Sequence, residues 1–122
     1  MSFKDKKIAV VGVSENPLKY GYKIFKDLSK SGYEVYGVNP KLKSLDGKNI
    51  YPNISSIPLK PEIVILVVPP EISIKIVDEC VGLKIEHIWF QPGSESEEAV
   101  KKAEQKGIKT TVACFMVQNR IW

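Results

Sequence analysis

Arginine is almost missing from this chain: Arg120 is the only one among 18 basic residues, and the rest are lysines scattered from Lys4 to Lys109. Proteins that read nucleic acid favour arginine for bidentate base contacts and cluster their basic residues, so a DNA or RNA partner is excluded on composition. Histidine occurs once, at His87, without a carboxylate or second histidine nearby in sequence, which assigns it a structural role. Two cysteines, Cys80 and Cys114, are too few for a disulfide framework or a zinc site and are read as reduced thiols. Asp5, Asp27, Asp46 and Asp78 show no paired spacing for acid/base work, and no catalytic or metal-binding residue is assigned. No apolar run approaches the ~20 residues of a membrane helix, and the lysine-rich start is not followed by the apolar stretch of a signal peptide. These absences lead us to expect a cytoplasmic chain with neither a nucleic-acid nor a membrane partner.

What the sequence does contain is a regular alternation. Its 122 residues, 43% hydrophobic and 26% charged, suit one domain. Ile8–Val11, Val35–Val38, Ile63–Val68, His87–Phe90 and Thr111–Ala113 are short apolar runs of the kind found where a strand is covered on both faces. Helical faces lie between them. Ile24, Phe25 and Leu28 mark the first, closed by Gly32. Ile72, Ile76, Val77 and Cys80 mark the second, between Pro69-Pro70 and Gly82. Ala99, Val100 and Ala103 mark the third, introduced by Ser94 or Ser96 and closed by Gly107. The pattern predicts an α/β fold: a three-layer, Rossmann-like, doubly wound parallel sheet of five strands in a single domain. From Pro40 to Pro61 turn residues dominate, so that crossover is expected to be irregular, with at most one helical turn near Ile54–Ile57.

In such sheets ligands bind beyond the carboxyl ends of the strands. The residues there form a consistent set: Gly12, Val13, Ser14, Asn16, Pro17 and Lys19; Asn39, Pro40 and Lys41; Pro69; Gln91 and Gly93; and Cys114. Strand, tight turn and helix start at Gly12-Val13-Ser14 make an anion site, because the first helical N–H groups are unpaired and the helix dipole is positive there. The Gly-x-Gly-x-x-Gly of a dinucleotide site would need glycines at 12, 14 and 17, and two of them are Ser14 and Pro17. Asn39 stands where an NAD site would place a ribose-binding acid, and with Lys41 behind it a phosphate is better served. Cys114 ends the fifth strand at this same edge, whereas Cys80 lies on an apolar helix face.

The run VVGVSENPLKYG resembles the opening of the CoA-binding-domain family, small Rossmann-like proteins similar to the nucleotide-binding domain of the succinyl-CoA synthetase alpha subunit. The likeness continues through Val35–Pro40, Gly47–Pro52 and Trp89–Gly93 and ends near Cys114, where Val112-Ala113-Cys114 departs from the Asp-Arg-Cys of many relatives. It implies coenzyme A or an acyl-CoA as ligand, with the pyrophosphate against Gly12 to Lys19. Val38, Asn39, Pro40 and Lys41 would then adjoin the adenosine, with Val68 and Pro69 on the other side. The expected role is a stand-alone, non-catalytic CoA-binding module. Two other readings stay open on the residues: an NAD(P)-linked oxidoreductase or redox sensor, and an interaction module regulating an acyl-CoA enzyme. The apolar tail Phe115–Trp122 suits a homodimer or a partner enzyme.

Overall fold

A computed structural model describes residues 3–122. The strands are β1 (Lys7–Val11), β2 (Glu34–Val38), β3 (Ser44–Leu45), β4 (Lys48–Tyr51), β5 (Ile63–Leu66), β6 (His87–Phe90) and β7 (Lys109–Val112). The helices are α1 (Tyr20–Lys30), α2 (Pro70–Leu83), α3 (Glu97–Gln105) and α4 (Phe115–Gln118), with a 3-10 turn at Ile54–Ser56. The sheet has seven strands in the order β3-β4-β2-β1-β5-β6-β7, parallel throughout except for the β3–β4 hairpin. All five expected strands are present, but the count of five is corrected to seven. The two additional strands come from the crossover read as irregular. Ile50 is the one buried residue of β4, and β3 is a two-residue edge, so neither carries the continuous apolar run of a central strand. Asp46 (φ 50°) and Gly47 (φ 79°) form the tight turn that joins them.

Apolar side chains cover both sides of the sheet. Ile8 and Val10 of β1 point to the side of α1 and α4, where they meet Ile24, Phe25, Leu28, Phe115 and Met116. Ala9 and Val11 point to the side of α2 and α3, where Val77, Cys80, Ala99 and Ala103 lie. Trp89 and Phe90 divide between these two cores in the same way, as successive strand residues must. At the far end of β6, His87 is buried beside Trp89 with Nε2 2.8 Å from Thr111 Oγ1. Burial and the nearby Lys109 charge hold its pKa down at about 4, as a structural histidine that stays neutral requires. Burial, reinforced by the Glu79 charge, pushes the Cys80 thiol up to about 12, so it remains protonated.

The expected end of the second helix needs correction. α2 runs through Gly82 to Leu83, and Lys84 takes the left-handed position (φ 59°). Ile85 N–H then reaches Cys80 O at 3.0 Å while its side chain is buried, and that apolar anchor sets the stop. Gly32 and Gly107 do close α1 and α3 in the left-handed region, and Ser96 rather than Ser94 caps α3 by accepting from Ala99 N–H at 3.0 Å.

Candidate functional site

From β1 the chain winds to β2 and β4 on one side, then returns to β5, β6 and β7 on the other, so the order reverses between β1 and β5. Such a switch point opens a crevice at the carboxyl ends of the strands. Here a cleft of about 820 Å³ occupies it. Gly12, Val13, Ser14 and Lys19 line it from the β1–α1 loop, Val38, Asn39, Pro40 and Lys41 from the end of β2, and Val68 and Pro69 from the end of β5.

Backbone geometry makes the floor. Gly12 has φ +106°, and a Cβ on it would stand 2.1 Å from Val67 O. Gly21 lies in the first turn of α1, and a Cβ there would stand 2.0 Å from Gly12 O. The glycine for close helix-to-strand packing is therefore present, four positions beyond where the dinucleotide spacing would put it, because the loop between is longer. Sequence reading missed Gly21 by seeking it at position 17. Two short turns hold the extra length: Ser14 Oγ accepts from Asn16 N–H, and Asn16 Oδ1 from Leu18 N–H, each at 3.0 Å.

The N-terminus of α1 is left open toward this cleft. Its cap residue Lys19 offers no side-chain cap, and no acid stands in the first turn. The amides of Tyr20 and Gly21 have no intrahelical acceptor, so the helix dipole is uncompensated where the cleft begins. Lys19 and Lys41 form no ion pair or hydrogen bond through their ammonium groups among the described residues. The one acid on the cleft wall, Glu79, accepts from Ser55 N–H at 3.1 Å. An anion is what this arrangement can bind.

Asn39 acts differently from the expectation that its amide simply welcomes a phosphate. Its Nδ2 donates to Val13 O at 2.6 Å, and its Oδ1 accepts from Lys41 N–H at 2.7 Å. It ties the β2 end to the β1–α1 loop, a role that an aspartate could not fill because it has no donor. On the other wall, buried Ser94 plays an equivalent part that the sequence did not reveal: its Oγ accepts from Val68 N–H at 3.0 Å, and its carbonyl accepts from Ser73 Oγ at 2.6 Å. Ile72 and Ile76, expected on the core face of α2, both line the cleft; Ile72 is exposed, while half-buried Ile76 also packs against the core. The apolar period on α2 thus reports a cleft wall as well as a core face.

The remaining candidates lie apart from the main cleft. Gln91 is buried and accepts from Phe115 N–H at 2.7 Å, while Gly93 N–H donates to Glu95 Oε1 at 2.8 Å. Gln91 and Cys114 line a smaller neighbouring cavity; Asn16, Pro17 and Gly93 line neither space.

The sequence pattern of the CoA binding domain matches residues 6–120. The alpha subunit of an ADP-forming acetate–CoA ligase of Pyrococcus furiosus is 34% identical over 88% of this chain, and an ADP-forming acetate–CoA ligase of Archaeoglobus fulgidus is 31% identical over 88%. The chain spans 25% and 17% of the length of those two relatives. A solved conserved hypothetical protein from Pyrococcus furiosus superposes with a TM-score of 0.87 at 38% identity, covering 93% of this chain and 98% of its own. The acetyl-coenzyme A synthetase 1 of Ca. Korarchaeum cryptofilum, solved with phosphate and ADP, superposes with a TM-score of 0.80 at 29% identity, covering 91% of this chain and 26% of its own.

Proposed function

The chain belongs to the CoA-binding-domain family, and from that premise we propose that it binds coenzyme A in the cleft between β1, β2 and β5 as a module that holds the cofactor without transforming it. The diphosphate meets the open N-terminus of α1, with Lys19 beside it. The adenosine lies between the Val38–Lys41 segment and the apolar wall of Val68, Ile72 and Ile76, with the 3′-phosphate within reach of Lys41. The observation that carries this reading is the pairing of an uncapped, acid-free helix start with two lysines that have no ion-pair partner among the described residues, on one apolar-walled cleft. The acetate–CoA ligases that contain a similar segment are several times longer, and in this reading the segment they share with this chain holds the cofactor.

Asn39 also separates this reading from a dinucleotide site. With its amide committed to Val13 and Lys41, the end of β2 offers a nearby ammonium and no carboxylate for a ribose diol. Calorimetry with CoA, dephospho-CoA, NAD and NADP tests the proposal. CoA is expected to bind most tightly; NAD or NADP binding as tightly as CoA overturns it.

A further inference from the structure

The second cavity, about 310 Å³, adjoins the main cleft, and Tyr20 and Val67 wall both. Pro92, Cys114, Val117 and Trp122 also line it. Its outer wall comes from the chain's last turn, which is anchored: Trp122 Nε1 donates to Asp27 Oδ2 at 2.7 Å, and its ring lies against Tyr20 with centroids 6.0 Å apart. Into this apolar space faces one buried polar side chain, Gln91, which is only 5% exposed. Its Oε1 must be the atom facing Phe115 N–H, since that backbone group can only donate, and this fixes the amide's orientation. Gln91 Nε2 is left without a partner among the described residues. That N–H group opens onto the cavity and is free to donate to a molecule bound there.

We propose that this cavity receives the thioester end of a short-chain acyl-CoA, with Gln91 Nε2 donating to the thioester carbonyl and the acyl chain lying among Tyr20, Val117 and Trp122. The inference rests on the CoA reading above. A diphosphate at the start of α1 places the next part of the ligand at Tyr20, and the arm that follows passes Tyr20 and Val67 from one space into the other. Free CoA ends in a thiol, which supplies neither the carbonyl oxygen nor the alkyl surface that the cavity would bind.

Calorimetric titration of the whole chain with CoA, acetyl-CoA and butyryl-CoA tests this. Butyryl-CoA should bind at least about thirtyfold more tightly than CoA, the scale set by burying two or three carbons with one added hydrogen bond, and acetyl-CoA should fall between. Val117→Trp, at an exposed position, fills the cavity and should bring the butyryl-CoA to CoA ratio close to one. Gln91→Glu keeps an oxygen for Phe115 N–H but turns the donor into an acceptor, and should weaken butyryl-CoA more than CoA; should that variant fail to fold, Val117→Trp decides. Equal affinity for the three ligands, or a preference that survives Val117→Trp, overturns the proposal and assigns Gln91 to an amide carbonyl of the arm, which free CoA also carries. Failure of all three to bind instead overturns the CoA reading itself.

Discussion

Asn39 couples two loops through one side chain, donating to Val13 O and accepting from Lys41 N–H. Replacing it with aspartate removes the donor and sets a carboxylate against a carbonyl. Asn39→Asp is expected to lose about 1–3 kcal/mol of stability, the cost of leaving a polar group unpaired, and to weaken CoA binding along with it. Urea denaturation and calorimetry on the same preparation check both effects, and unaltered stability would show that the clamp contributes nothing. The two lysines should separate by role. Lys19→Ala is expected to weaken CoA by about 1–3 kcal/mol, the range of a charge-assisted hydrogen bond, with a shallower salt dependence than the wild type. Lys41→Ala should instead narrow the preference for CoA over dephospho-CoA, because it takes away the charge nearest the end of β2. If the two variants lose CoA and dephospho-CoA in equal measure, the 3′-phosphate contact lies elsewhere, with Lys43 the next candidate.

Glycines of identical composition serve opposite ends at the level of elements. Gly21 lets α1 start against the β1 loop, since a Cβ would fall 2.0 Å from the carbonyl of Gly12. Gly21→Ala must push the helix outward, with an expected loss of about 1–3 kcal/mol from overpacking and a larger loss of CoA affinity as the helix amides move. Gly82, inside α2, has nothing within 4 Å of its would-be Cβ and no positive φ. Gly82→Ala should therefore stabilise the protein by about 0.5–1 kcal/mol through reduced freedom of the unfolded chain. Thermal melts of both variants decide the matter; destabilisation by Gly82→Ala would contradict the helical environment described for it. The contrast also shows why α2 was expected to stop early: a glycine near a helix end reads as a stop, but Ile85 is the residue with a buried place to go.

Acid should weaken the molecule as a whole through His87. In the folded chain its pKa is held at about 4 by burial and by Lys109, against 6.5 when unfolded. Between those two values the unfolded chain takes up a proton that the folded chain refuses, so stability falls as pH drops from 6.5 toward 4. Glu62 works in the same direction at lower pH. Lys7 N–H, donating at 3.0 Å, holds its carboxyl below 4.5, so its contribution is present above that value and is lost as pH falls further. Urea denaturation from pH 7 to pH 4 should show this decline, and His87→Gln should flatten it above pH 4.5. A slope unchanged in that variant would place the titrating group elsewhere.

The sequence by itself determined the central strands and the chemistry of the switch-point edge. Continuous apolar runs such as Ile63–Leu66 can only be buried on both faces, and a glycine turn between such a run and a helix leaves unpaired amides whatever the surroundings. Ten of the fifteen candidate residues, from Gly12 to Pro69, line the main cleft for this reason. Tertiary structure alone decided the remainder, because it depends on contacts between segments far apart in the chain. Ile50 pairs with Gly37 to extend the sheet, although its strand carries little apolar signal of its own. Asn39 becomes a clamp only because Val13 O lies within its reach, 26 residues away in sequence. Ile72 faces the cleft rather than the core because α2 packs through Ser73, Val77 and Cys80, a rotation about the helix axis that periodicity leaves free and that the sheet beneath sets.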